Sequence, residues 1–214
     1  MAIQERPLIA EQAYFQLRDR IVTLKLPPGS PLREDELMRE LNIGRTPLRE
    51  AVKRLELEDL VTVEPRRGTR VTEVKVADIV HITELRADLE GQAAELAALR
   101  LDAAERTRAE ALVQALEGAA GEPEALMRLD EDVHRLVWEA CGNPYMDATL
   151  ERLFALSLRI WHLVLDRVPG LSASVHDQRL LLEALIARDG ARARTLMHDH
   201  VLAFQREVLV AFAS

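Results

Sequence analysis

The stretch GRTPLREAVKRLELEDLVTVEPRRGTRV, residues 44–71, decides the fold. Leu48, Ala51, Val52 and Leu55 recur at helical spacing, so its first half forms a helix with one apolar stripe. Thr46 is a favourable N-cap and Pro47 suits the first helical position, which starts that helix at Thr46 and carries it to about Glu58. Val61 and Val63 then alternate with polar neighbours. Pro65-Arg66-Arg67-Gly68 turns the chain and Thr69 to Val71 returns it, the pattern of a hairpin.

Upstream, Leu8, Ala13, Leu17, Ile21 and Leu24 mark a first helix, stopped by Pro27, Pro28 and Gly29. A short second helix covers about Glu34 to Leu41, and Asn42-Ile43-Gly44 is a tight turn. Residues 1–74 thus read as helix, helix, helix, hairpin: a winged helix-turn-helix. From Val76 onward the periodicity is helical throughout, in segments at about 76–100, 103–118, 122–140, 144–167, 174–188 and 190–213. Asn143-Pro144 is an N-cap followed by a first-position proline, Ser174 with Asp177 has capping-box spacing, and Asp189 can cap the last segment. Short connections make neighbouring helices antiparallel. The expected fold is mostly α, with a winged helix-turn-helix over 1–74 and a six-helix antiparallel bundle over 75–214.

Charge divides at the same place. The net charge of the 214 residues is -8, yet residues 1–74 hold equal numbers of basic and acidic side chains. The bundle carries the whole excess. Within Arg45–Arg70 the balance is positive, and local basicity rather than overall charge decides whether a surface meets phosphate. The single cysteine, Cys141, excludes an intrachain disulfide framework and fits a reducing compartment. There is no basic-then-apolar leader at the amino terminus and no apolar run of membrane-spanning length, so a cytoplasmic protein with no membrane partner is expected.

The third helix and the hairpin have the chemistry for double-stranded DNA. Arg45, Thr46 and Arg49 sit at the amino-terminal end of the helix, where base edges and phosphates are met. The free amides of that turn attract anions. Arginine is the best side chain for a two-pronged contact to guanine. Arg66, Arg67 and Gly68 form the hairpin tip, placed for phosphate or minor-groove contacts. A small helical domain with a solvated basic face remains the alternative on these grounds alone.

In the bundle, polar residues interrupt apolar stripes. Asp130 and His134 share one face with Leu126, Met127, Val133 and Val137. His200 lies with Ala193, Met197, Phe204 and Val208, whereas His198 is rotated by about 200° and faces out. Gln178 lies with Val175, Leu182 and Leu185, and His176 is rotated away. Asp130, His134 and His200 could converge on a divalent metal such as Zn, Ni or Mn, or Asp130 and His134 could simply pair with each other. Arg86 lies on the stripe Ile79, Ile82, Leu89, Ala93 and Leu96, so it points inward. There it pairs with Glu90 one turn on, or offers its fork to a carboxylate ligand; the pair is favoured because Glu90 is already in reach.

Gly44-Arg45-Thr46-Pro47-Leu48-Arg49-Glu50-Ala51, then Leu55, Glu58, Leu60-Val61 and Pro65 to Val71, together with Pro28-Gly29, Leu32, Glu34 and Leu37, resemble the winged helix of the GntR family of bacterial transcription regulators. That resemblance implies operator contacts from Arg45, Thr46, Arg49 and Gly68, and a second-helix contact from Arg33. Two positions depart from the family pattern. Gly44 stands where serine is usual, and Asp35 where a basic or neutral residue is frequent. Arg86 with Glu90, Asp130 with His134 and Gly142-Asn143-Pro144, and Ala184-Leu185 with Asp189, Met197 and His200 are similar to the FCD effector domain of FadR-type members, in its shorter VanR-like branch. The resemblance implies a homodimeric, ligand-responsive regulator, a repressor, that senses a small organic acid near Arg86. It also implies a metal on Asp130, His134 and His200. Its fourth ligand position falls on Gln178, where a histidine is expected, so a Gln carbonyl, a water or His162 would complete the set. The competing reading is a metal-dependent enzyme, a hydrolase or oxygenase, using Asp130, His134 and His200. No general base, nucleophile or cofactor loop accompanies those residues in the sequence.

Overall fold

Helix α1, Glu5–Val22, opens a computed structural model that describes residues 5–118, 123–164 and 171–213. The described residues fall into two units, one within 1–75 plus 158–163 and the other within 76–157 plus 164–214.

In the first unit α1 buries Ala13, Leu17 and Ile21. It ends at Val22, short of Leu24, because Leu24 turns left-handed (φ 60°) and closes the helix with a bond to Ile21 O. Strand β1, Pro31–Leu32, leads into α2, Glu34–Leu41, which stops at Asn42 in the left-handed region (φ 51°) that Asn tolerates. Helix α3 spans Arg45–Leu57 and buries Leu48, Ala51, Val52 and Leu55, the stripe expected of it. Its N-cap is Gly44, not Thr46. Thr46 and Pro47 lie inside the first turn, where the proline's missing N–H costs nothing because those amides have no intrahelical acceptor. Strands β2, Val61–Glu64, and β3, Gly68–Val71, form the expected hairpin. Arg67 N bonds Glu64 O at 3.1 Å across the tip. The sheet order is β1-β3-β2, all antiparallel, with Leu32 opposite Thr69 and Val63 opposite Thr69 on the other side. Leu17, Ile21, Leu48, Leu55, Leu60 and Val71 fill the core between helices and sheet.

Among the described residues six helices follow: α4 Val76–Arg100, α5 Ala103–Gly118, α6 Pro123–Ala140, α7 Pro144–Val164, α8 Leu171–Ile186 and α9 Gly190–Ala213. They reproduce the expected segments, of which residues 122 and 165–167 lie outside the described residues. Asn143 Oδ1 accepts from the amides of Tyr145 and Met146, and Asp189 Oδ1 from that of Arg192, so both expected caps form. An unforeseen capping box starts α5: Asp102 and Glu105 each accept from the other's amide at 2.8 Å. The Ser174–Asp177 spacing does not mark a start, since α8 already begins at Leu171.

Helices α4 and α9 approach closely through small residues. A Cβ on Gly91 would come within 3.2 Å of Arg194 O, and one on Gly190 within 3.2 Å of Glu95 O. Ala93, Ala94, Ala97 and Ala98 are fully covered along the same helix. The buried stripe of α4 therefore runs Ile79, Thr83, Arg86, Ala87, Glu90 and on through these alanines, while Ile82, Leu89 and Leu96 are only partly covered. Small side chains win those positions because backbones this close leave no room for leucine.

Candidate functional site

The amino-terminal end of α3 is an open, basic corner. Gly44 has no side chain to satisfy the first amides, and α3 has no acidic residue in its first turn. Arg45, Thr46 and Arg49 are exposed there, and Arg66, Arg67 and Gly68 are exposed at the hairpin tip. Gly68 takes φ +88° with open space where a side chain would lie, so the tip can approach a neighbouring surface closely. Arg33 is exposed at the start of α2 and pairs with Glu36 at 3.1 Å.

Arg45 and Arg49 carry loose partners too. Arg45 Nη2 is 3.3 Å from Asp35 Oδ1 and Arg49 Nε is 3.4 Å from Glu34 Oε2. Exposed pairs of this kind contribute about 0–1 kcal/mol, so they yield readily to phosphate or base edges. Arg70 is different: it donates to Gly29 O at 2.9 Å and ties down the turn before β1.

The bundle centre has the opposite character. Arg86 is 4% exposed and Glu90 fully covered. Arg86 Nε and Nη2 both donate to Glu90 Oε1, at 3.0 and 2.6 Å. Glu90 Oε2 receives Trp138 Nε1 at 2.9 Å and lies 2.7 Å from His134 Nδ1. Burial alone would raise the Glu90 pKa. The charges of His134 and Arg86, with these hydrogen bonds, outweigh it and hold the carboxyl down at about 2.

Because Glu90 occupies Nδ1, His134 turns Nε2 towards Asp130, whose Oδ2 is 3.8 Å away. His200 Nε2 lies 3.2 Å from Asp130 Oδ1, and Gln178 Nε2 donates to the same oxygen. Burial pushes the Asp130 carboxyl up, but His134 and His200 more than offset this and lower its pKa; burial pushes His200 down and Asp130 more than offsets that, raising it. One donor atom each from Asp130, His134 and His200 falls within 4.8 Å of the others. Glu90 behind His134 is a carboxylate–imidazole contact of the kind that fixes a ring's orientation.

Asp130, His134, His200 and Gln178 thus come together as their helical phases require. His176 is exposed, His198 lies beside Asp88 and Asp199 on the surface, and His162 is not in the group. Glu90's hold on His134 was missed: the sequence offered Glu90 only as a partner for Arg86. The signal was Trp138, one turn after His134, whose buried indole N–H needs an acceptor.

The bundle matches the FCD domain over residues 81–203, and residues 9–71 match the bacterial regulatory proteins of the gntR family. The chain belongs to the GntR family. It is 32% identical over 202 residues to the HTH-type transcriptional repressor GlaR of Escherichia coli K12, covering 88% of this chain and 90% of that protein. It is 26% identical over 195 residues to the repressor RspR of the same organism, covering 90% and 86%. Escherichia coli McbR/YncC shares the fold, with a TM-score of 0.82 at 22% identity over 96% of this chain and 97% of that one. GntR regulators with an FCD domain are DNA-binding transcription regulators rather than enzymes, which sets aside the metal-dependent enzyme. Regulators of this family bind operator DNA and are typically dimeric. Among the described residues no helix is long and apolar enough to cross a membrane.

Proposed function

We propose that this GntR regulator is a cytoplasmic repressor working as a homodimer, with residues 1–74 reading DNA and residues 75–214 sensing a small organic acid. Arg33, Arg45, Thr46, Arg49, Arg66, Arg67 and Gly68 form the DNA-facing set. Two copies related by a two-fold axis read the halves of a short palindrome. The observation that carries the sensing half is the meeting of Asp130, His134 and His200 over the buried Glu90.

Those residues fit a divalent cation such as Zn, Ni or Mn: one carboxylate and two imidazoles are typical donors. Gln178 can add its carbonyl oxygen by turning its amide over. A bound cation supplies a positive, Lewis-acidic point for the acid's carboxylate. Arg86 stands behind Glu90 and lends positive charge to the same region. The ligand acts on DNA binding only through its preference between two arrangements of the dimer.

A thermal-shift screen of small carboxylic acids on the full chain, with and without Zn, Ni or Mn, tests this. Metal and acid together raise the melting temperature, and Asp130→Ala abolishes the metal part. Stabilisation by acids that is indifferent to metal and to Asp130 removes the metal; Arg86→Met then decides whether Arg86 binds the acid or serves only Glu90.

A further inference from the structure

Among the carboxylates paired with the arginines of the DNA-facing corner, one is far more exposed than the others and has the wrong sign for a surface that meets phosphate. Asp35, in the first turn of α2, is 80% exposed, and its Oδ1 lies 3.3 Å from Arg45 Nη2. Glu34 beside it is tucked further in, between Arg45 Nε at 3.9 Å and Arg49 Nε at 3.4 Å. Acidic residues in a first turn favour the helix dipole, and Glu34 and Glu36 already provide that. The dipole does not explain why Asp35 is aimed at the arginine at the very start of α3.

A carboxylate among phosphates is repelled unless it meets a hydrogen-bond donor. In the major groove the donors on base edges are the exocyclic amines, N4 of cytosine and N6 of adenine. Guanine O6 and thymine O4 are acceptors and repel it. Arg45 engages one carboxylate oxygen, and Oδ2 remains to accept from a base. The same contact orients the guanidinium, so its other edge is presented ready for guanine O6 and N7.

We propose that Asp35 selects bases. Coupled to Arg45, it demands cytosine or adenine and rejects guanine and thymine at one position of each half-site, within a step of the base Arg45 reads. This rests on the reading that the start of α3 enters the major groove.

The test is selection from random duplex DNA by the full-length chain and by Asp35→Ala, Asp35→Asn and Arg49→Ala. Binding is then measured on the wild-type consensus and on duplexes with the amino-bearing base exchanged for guanine or thymine. The wild type loses tenfold or more on that exchange, whereas Asp35→Ala loses less than threefold, weakens the neighbouring guanine that Arg45 reads, and leaves the consensus positions beyond it in place. Asp35→Asn, whose amide both donates and accepts, shifts the position towards adenine. Asp35→Ala that keeps the wild-type discrimination, or tightens binding to every duplex by one common factor, overturns the proposal, since the carboxylate would then only moderate charge. Arg49→Ala that keeps the full wild-type consensus would fault the placement of α3 itself, and the proposal falls with it.

Discussion

The basic corner at the start of α3 and the bundle centre are built from the same pairings, arginine with carboxylate, and use them in opposite ways. Arg45, Arg49 and Arg67 hold exposed partners at 3.3–3.9 Å. Arg86 holds a buried one at 2.6 Å, and every oxygen of Glu90 is occupied. Water has already discounted the exposed pairs, so a ligand can exchange them cheaply. The buried chain Arg86–Glu90–His134 has no solvent to fall back on. One set is poised to be replaced, the other to stay.

The contrast breaks most directly by making the same substitution in both places. Glu90→Gln leaves the Arg86 charge buried without its counter-charge, and we expect the bundle to lose about 3–5 kcal/mol in denaturant unfolding. Glu34→Gln, on an exposed pair, changes stability by no more than about 0.5 kcal/mol. Equal costs would mean that the Glu90 network is not the structural centre of the bundle.

The second test reads function on the exposed side. Arg49→Ala weakens binding to a selected operator duplex by about 1–3 kcal/mol in a titration, with unfolding unchanged. A loss of stability without a loss of affinity would make Arg49 a scaffold residue like Arg70.

How legible these two regions were in the sequence follows from how local their causes are. The helix phases of Asp130, His134, His200 and Gln178, the stripe of α3, and the caps at Asn143 and Asp189 all depend on residues within a turn or two. Periodicity and cap chemistry find those. Strand β1 escaped because two residues carry no alternation; Pro31 and Leu32 are strand only through pairing with β3, nearly forty residues on. Gly44 displaced Thr46 as N-cap because propensity ranks side chains, and here the turn from Asn42 fixes where helical geometry begins. The Glu90–His134 bond joins residues 44 apart and exists only once α4 and α6 are packed.

Gln178→His sharpens the bundle side. Gln178 already donates to Asp130, so the new imidazole arrives beside the three donors that converge there. Imidazole binds Zn or Ni better than an amide oxygen, and we expect metal affinity to rise at least about tenfold, roughly 1.4 kcal/mol, in competitive titration. His198→Ala changes it little, because His198 lies at the surface with Asp88 and Asp199. A loss from His198→Ala equal to that from His200→Ala would show that the donors sit elsewhere.

The smallest expected effect separates fold from function within one side chain at the wing tip. Arg66 adopts φ 66°, a left-handed conformation that an ordinary side chain takes at a cost and glycine takes freely. Arg66→Gly therefore relieves local strain while adding freedom to the unfolded chain, and these terms nearly cancel. Stability should stay within about 1 kcal/mol of the wild type. On the proposed reading the lost charge is felt only in DNA binding. If Arg66 meets one phosphate, the slope of log affinity against log salt becomes shallower by about 0.9 per wing, for every sequence alike. Anisotropy titrations at several salt concentrations read that slope, on a selected duplex and on a random one. An unchanged slope would leave the arginine's strained placement without a DNA contact to justify it, and would move the phosphate contact to Arg67, whose side chain is 81% exposed and only loosely held by Glu64 at 3.9 Å.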